Sequence, residues 1–348
     1  MAAALLAPSQ VSGGGEDLDR KRNGYAIAEE SFASLFSLWR RPGRAIPWDC
    51  LFVLPVWLQA WWEAFGAGTS PYLCSVRQSD DLVGIAALLI QGDGARLMGD
   101  GEVCDYLDFV VAPGRGEGFF TILIDHLKER GISFLDLAPV RGDSTVMTDL
   151  VRVARKLDCE ISAAPEEVTL ERELPATWDE FLLTLSGKER HEIRRKFRRL
   201  EEAGSVEFRT VGARQDVHRE METFLALFAS NREDKAAFMT DAMASFFRAL
   251  AEAMAAEDML RLFFLDLDGI PAAGVMCFDY NKRVYLYNNA YDHRFQALSV
   301  GLLSKVLSMR DSIDRRKKSY DFLKGGEPYK YRLGGRPVRV YRCVVALR

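Results

Sequence analysis

One order of segments occurs twice in this 348-residue chain. "LVGIAALLI … DYLDFVVAPGRGEGFFTILIDHL … ISFLDL" and "IPAAGVMCF … VYLYNNAYDHRFQALSVGLLSKVL … SYDFLK" share strands, a turn, an amphipathic helix and a strand, at low identity. Such an order predicts a divergent internal duplication, each copy an antiparallel meander that runs through a helix into one more strand. The length agrees, because one hydrophobic core serves roughly 100 to 200 residues and this chain needs two. The expected division is a disordered tail over residues 1–24, a first lobe over 25–175 and a second over 176–348.

Local signals fill in each copy. In "CLFVLPVWLQAWWEAF", Pro55 opens an expected helix in which Val56, Ala60 and Trp57, Trp61 recur at i, i+4 and pack inward. That run is broken by Pro55, Gln59 and Glu63 and is too short for the ~20 apolar residues of a spanning helix, so no membrane anchor is expected. Gly131 suits the stop of the first crossover helix, and Asp143 or Ser144 the cap of the next. In "SGKERHEIRRKFRRLEEAG", Ser186 and Glu189 have capping-box spacing and Gly204 supplies the stop. Asp268-Gly269 and Asn281-Lys282 mark the hairpin turns of the second meander, and one or two helices are expected over residues 214–255.

Composition removes several function classes. Hydrophobic content of 48%, charged content of 28% and a net charge of -4 describe a soluble globular protein and nominate no DNA partner. The six cysteines have no CxxC pair and no nearby histidines, so they read as reduced, mostly buried thiols rather than a zinc site or disulfide framework, and no metal is expected. In "MAAALLAPSQVSGGGEDLDRKRNG" the charges follow the apolar residues and no adequate apolar region exists, the reverse of a secretory signal. A cytoplasmic location is the expectation.

Taken together, the hairpin, "YLYNNAYD", "LSVGLL" opening a helix, and "YDFLKGGEPYKYRLG" resemble the C-terminal half of the CelD-like, FemAB-related acyltransferases of the GNAT superfamily. "LSGKERHEIRRKFRRLEE" is similar to that family's basic helix, and the resemblance covers about residues 25–348. It implies an α/β protein of two GNAT-like lobes, each a mixed, largely antiparallel sheet flanked by helices. The first lobe would be degenerate, and the second would bind the acyl donor. The implied reaction is acyl-CoA-dependent N- or O-acyl transfer, with acetyl-CoA the expected cosubstrate and a small-molecule or glycan precursor of the cell envelope or an exopolysaccharide as acceptor. Two other readings stand beside it: a Fem-like aminoacyltransferase using aminoacyl-tRNA, for which no long helical hairpin is visible, and a non-catalytic scaffold binding a glycan or partner.

Individual residues can be weighed for these roles. In "LSVGLL", Leu298, Ser299, Val300, Gly301 and Leu302 would form a helix N-terminus whose free N–H groups and side-chain-free Gly301 admit a pyrophosphate; plain capping is the bland reading. "VVAPGRGEGFF" in the first copy, with Pro113, Arg115, Gly116 and Gly118, competes for that role, but its spacing is short and Glu117 would face the phosphates. For catalysis, Tyr285, Tyr287, Asn288, Tyr291 and Asp292 lie on or just beyond the expected central strand. Asp292 could be the base and Tyr291 or Tyr287 the acid, against core tyrosines and a loop-capping aspartate. Strand alternation would set Tyr285, Tyr287 and Asn289 on one face. His293 is adjacent, and no Ser-His-Asp or Cys-His arrangement is visible, so direct attack is expected. The basic helix has seven Lys/Arg against four Glu and reads as a salt-laced solvated surface or, through Arg194 and Arg195, as a wall facing an anionic acceptor. In "KGGEPYKYRLGG", Glu327, Tyr329, Lys330 and Arg332 are expected at the mouth of the cleft, with Pro328 fixing the bend.

Overall fold

The structure, a computed structural model, describes residues 24–43, 46–211, 217–229 and 239–347. The expected N-terminal tail lies outside these residues except for Gly24. β1 (Tyr25–Glu29) and α1 (Phe32–Arg40) lead into α2 (Pro55–Phe65). Helix α2 starts at Pro55 because the first-turn N–H that proline lacks has no intrahelical acceptor anyway, and Val56, Trp57, Ala60 and Trp61 are buried. A meander follows, β2 (Ser70–Gln78), β3 (Asp81–Gln91) and β4 (Gly94–Leu97). Then come β5 (Val110–Val111), α3 (Gly116–Glu129) and β6 (Phe134–Arg141), with Gly131 at φ +80° just past α3. A π-turn at Val146–Leu150 opens α4 (Val151–Lys156), and β7 (Ile161–Glu173) ends the first half. At this turn Ser144 Oγ accepts from the Met147 N–H, while Asp143 pairs with Arg141.

The second half begins with α5 (Trp178–Thr184) and α6 (Gly187–Ala203), where Ser186 Oγ accepts the Glu189 N–H at 3.1 Å. It continues through β8 (Val206–Val211), α7 (Val217–Ala229) and α8 (Asp241–Ala256) to the hairpins of β9 (Leu260–Leu267), β10 (Ile270–Tyr280) and β11 (Arg283–Tyr291). Both residues of each expected turn, Asp268-Gly269 and Asn281-Lys282, have positive φ, which matches the right-handed strand twist. Last come α9 (Val300–Asp314), β12 (Ser319–Lys324), the short α10 (Pro328–Arg332) and β13 (Arg336–Ala346).

All these strands join one mixed sheet in the order β1-β2-β3-β4-β6-β13-β7-β12-β11-β10-β9-β8, with β5 on β3. Among the named strands, the parallel pairs are β4 with β6 and β11 with β12, the strands that flank the crossover helices α3 and α9. This is the duplicated order read from the sequence. The centre of the sheet is less simple: β13, the last strand of the chain, lies between β6 and β7, while β7 pairs on its other side with β12. Each half thus lends a strand to the other, and pulling them apart would expose three backbone ladders, β6 with β13, β13 with β7 and β7 with β12. The core also crosses the junction. Trp57 of α2 packs edge-on against Phe278 of β10 and Tyr287 of β11, with ring centroids at 5.4 and 5.3 Å. Two further apolar clusters lie between the second-half strands and helices α5, α6 and α9.

All six cysteines are free thiols, five of them buried. Among the described residues, no helix is long and apolar enough to cross a membrane, and no group of His, Cys, Asp or Glu is arranged to hold a metal.

Candidate active site

Strand β11 carries an irregularity that the sequence does not announce. Its register against β10 passes from Met276↔Asn288 to Cys277↔Leu286, which leaves Tyr287 with no partner on β10. A bulge of this kind shifts the pleat by one residue. Before it, Tyr285 sits in the main core with Phe278, and Leu286 in the cluster beneath α9. Beyond it, Ala290 belongs to the main core, and Tyr291 packs beside Val300 and Leu303 of α9. Simple alternation therefore fails at Tyr287: Tyr285 and Tyr287 share a face, but Asn289, opposite Val275 of the α9-side cluster, and Tyr291 are turned to the helix.

Tyr291 is delivered in this way to a cavity of about 450 Å³ at the N-terminus of α9. Ser299, Gly301 and Leu302 line it; Leu298 and the fully buried Val300 pack into the core beneath. Ser299 stands at φ +60° in the N-cap position, yet its hydroxyl makes no cap bond and accepts from Lys196 Nζ at 2.7 Å. Gly301 is needed for a reason other than ligand approach, since a Cβ there would lie 2.7 Å from Tyr291 Cδ1. The first-turn N–H groups lack intrahelical acceptors and carry the positive end of the helix dipole. Lys196 of α6, Lys305 of α9 and Arg332 of α10 border the same space. Two carboxylates border it too, Glu189 and Glu192; bonds from Arg195 at 2.8 and 2.9 Å pull Glu192 down to about 2, so it stays ionised, and it also pairs with Lys196 at 3.3 Å, which leaves three cations against two anions around the space. The balance is cationic.

The remaining sequence candidates are distributed more widely. Asp292 caps the short turn His293–Leu298, accepting the Arg294 N–H at 2.9 Å and its guanidinium at 2.9 and 2.6 Å, and this pairing lowers its carboxyl. Tyr287 lies at the junction of the halves, its hydroxyl donating to the Val103 carbonyl at 3.1 Å; burial holds that hydroxyl well above its ordinary value. Arg195 is engaged by Glu192, and Arg194 faces a different cavity, about 380 Å³ beside Trp178 and Phe197.

"KGGEPYKYRLGG" folds onto itself. Pro328 starts α10, and Lys330 turns inward at 2% exposure. Its ammonium donates to the carbonyls of Leu323, Lys324 and Gly325 at 3.2, 2.5 and 3.1 Å and pairs with Glu327 at 2.9 Å. With every donor engaged, Lys330 faces no acceptor space; it clamps a turn in which Leu323 stands at φ +59° and Gly325 at φ +103°. Tyr329 and Arg332 do border the cavity at α9, with Lys305 Nζ 4.5 Å from the centre of the Tyr329 ring.

The clamped turn presents Lys324, which leads to a residue that sequence reading missed. The β11–β12 ladder runs only from Arg283↔Ser319 to Tyr285↔Asp321. Past that point the strands part, and a first-half segment between β4 and β5 enters the gap. It meets β11 through the Val103 carbonyl and β12 through Lys324, whose ammonium donates to the Gly101 carbonyl and whose N–H donates to Asp105 Oδ1 at 2.9 Å. Among the described residues this is the only hydrogen bond to the Asp105 carboxylate, so one oxygen is open. Burial, partly offset by Lys324, pushes Asp105 up to about 6. Three residues on, Asp108 is also pushed up to about 6 by burial but is saturated, accepting from the N–H groups of Phe109, Thr145 and Val146 and from the Thr145 hydroxyl. The sequence signal was an aspartate between Cys104 and Tyr106 in an apolar run; nothing in it says that the segment crosses to the other half.

The competing loop in the first half is filled by the protein itself. A Cβ on Gly116 would strike the Asp149 carboxylate, and one on Gly118 the Tyr25 hydroxyl. Arg115 donates to Gln78, and Glu117 sits in the first turn of α3 paired with Lys156 and Arg152.

Comparison with known proteins agrees with this asymmetry. Residues 187–331 match the family model for an acetyltransferase (GNAT) domain. The crystal structure of FemX superposes with a TM-score of 0.65 at 14% identity, covering 91% of this chain and 96% of FemX. A conserved protein of unknown function from Bacteroides thetaiotaomicron gives 0.59 at 10% identity, with 92% and 99% coverage. L-PGS from Bacillus licheniformis gives 0.52 at 9%, with 84% and 90% coverage. No curated protein matches the sequence. The chain therefore has a GNAT-superfamily, FemAB-related fold, with the GNAT domain in its second half. The match over residues 187–331 makes it a transferase of the acetyltransferase kind.

Proposed function

We propose that the protein transfers an acyl group from acyl-CoA, acetyl-CoA foremost, to an amine or hydroxyl of a cell-envelope or exopolysaccharide precursor. The observation that carries the reading is the cationic cavity at the N-terminus of α9, inside the matched GNAT domain. On this reading residues 176–348 form the donor lobe and residues 25–175 the degenerate one. The first-turn N–H groups of α9, with Lys196, Lys305 and Arg332, suit the phosphates of the donor. From Tyr291 back to the bulge at Tyr287 is four residues, about 13 Å of strand, so an arm laid along β11 would bring its thioester toward the gap that Asp105 enters.

There Asp105 takes the proton from the attacking nitrogen or oxygen as the new acyl bond forms. The carbon–sulfur bond then breaks, and the thiolate leaves as a thiol, taking up the proton that Asp105 had accepted and regenerating the carboxylate. A carboxylate raised to about 6 is still mostly ionised at neutral pH and is a stronger base than an ordinary aspartate. Asp292, held by Arg294, keeps a capping role, and Tyr291 lines the donor path. Calorimetric titration with acetyl-CoA and longer acyl-CoAs tests the donor; thioester cleavage by wild type and Asp105→Asn tests the base. Salt-dependent tRNA binding with no acyl-CoA binding would favour the aminoacyl-tRNA reading instead.

A further inference from the structure

A third cavity, of about 360 Å³, lies where the two halves meet, on the face of β11 opposite α9. Tyr106, Asp108, Arg141, Asp143, Arg283 and Tyr285 line it. Most of these groups are bonded to one another or to the backbone. Arg141 gives two N–H groups to Asp143 at 2.8 and 2.9 Å and a third to Glu171 at 3.0 Å. Arg283 donates to Ser319 Oγ at 3.1 Å and to Glu171 at 3.0 Å, and the Tyr106 hydroxyl donates to the fully buried Asp321 at 2.7 Å.

Tyr285 is the exception. Its side chain is buried, with the residue 2% exposed; it borders the cavity, and its hydroxyl has no hydrogen bond among the described residues. That hydroxyl is not among the fully buried side-chain atoms left without a partner, so it opens to the cavity it borders and is a handle for a ligand. Charge decides the kind of ligand. Asp49, Asp108 and Asp143 line the cavity, with Glu171 and Asp321 behind the two arginines. Five carboxylates thus surround two guanidiniums. Both guanidiniums are already committed to Glu171. An anion would meet excess negative charge; a cation would find carboxylates, a hydroxyl to accept its N–H and tyrosine rings beside it.

We propose that this pocket between the halves binds a primary ammonium group, with the Tyr285 hydroxyl as its orienting partner. That the ammonium belongs to the acceptor rests on the acyl-transfer reading above. It would then anchor the acceptor at a point distinct from the nucleophile, because Asp321 at the pocket and Lys324 at Asp105 are three residues apart, about 10 Å along β12.

The test is titration of the full chain, by calorimetry or NMR, with ethanolamine and glucosamine as probes, and with glucose, acetate and inorganic phosphate as controls. Both amines should bind at least tenfold more tightly than any control, and Tyr285→Phe, which keeps the ring, should weaken them at least fivefold. Asp143→Asn should weaken them too. Tighter binding of acetate or phosphate, equal binding of glucose and glucosamine, no amine binding, or amine affinity unchanged in Tyr285→Phe would each overturn the proposal. None of these measurements involves an acyl-CoA. Failure of the donor titration would therefore sink the transfer reading and leave this site standing, and failure here would leave the donor reading untouched.

Discussion

Helices α3 and α9 hold the same place in their copies, each leaving a meander and returning through a strand that runs parallel to one before the helix. Judged by glycine content alone, α3 looks the better anion site. The structure separates them by what surrounds each N-terminus: Asp149, Tyr25 and Glu117 at α3, an open cavity with Lys196, Lys305 and Arg332 at α9. Even Gly301 is taken up by a tyrosine ring. What distinguishes an open helix end from a packed one is the sign and vacancy of its surroundings, supplied in good part by other elements: Lys196 of α6 and Arg332 of α10 at α9, Tyr25 and Asp149 at α3.

The largest effect should come from the first half's other contribution. Asp105→Asn should lower acyl transfer, read as thiol release from acetyl-CoA, by about 10² to 10⁴-fold while the fold is kept. Wild-type activity should rise with pH through about 6; an unchanged rate in the variant would remove Asp105 from the mechanism and return that segment to a packing role. The same group affects stability. Its folded value, about 6, lies above the ordinary 3.8, so the stability it contributes is full below pH 3.8 and is lost as pH rises through 6, on the order of 3 kcal/mol. In urea titrations Asp105→Asn should therefore gain on wild type between pH 4 and pH 7.5, and a constant difference would argue against the raised value.

Lys330→Met should cost about 3 kcal/mol of unfolding free energy, because three carbonyls of a turn with positive φ lose their shared donor. A Lys330→Met protein with wild-type stability but no donor binding would restore Lys330 to the substrate. Smaller again, about 1 to 3 kcal/mol each, should be Gly118→Ala and Gly301→Ala, which drive a methyl into Tyr25 and Tyr291. A second change, Tyr291→Ala, should relieve the latter, and strict additivity of the two would show that the ring is not what Gly301 accommodates.

Much of the fold was legible because it is written locally. Pro55, the Ser186 cap, Gly131 and the turns at Asp268 and Asn281 each act within a few residues, and the duplicated order follows from hydrophobic period. Two features were not. The exchange of β7 and β13 between the halves depends on pairing across more than 150 residues, and any strand of suitable pattern would satisfy the local rules. The bulge at Tyr287 turns Tyr291 to the opposite face without changing composition. At the candidate site, Ser299, Gly301, Leu302, Tyr291, Tyr329 and Arg332 were visible as a loop and its neighbours, and the structure brings them to one cavity. Asp105 was not singled out, and Tyr285 was named only as one of several residues on the expected central strand, since their surroundings are made by the meeting of the two halves.

The most direct measurement is calorimetric titration of acetyl-CoA into wild type, Lys196→Ala/Arg332→Ala and Arg115→Ala. The account predicts that the double variant at α9 loses about tenfold or more in affinity and that Arg115→Ala at α3 binds as wild type does. Loss of binding in Arg115→Ala with the α9 variant unaffected would place the donor in the first half and contradict it.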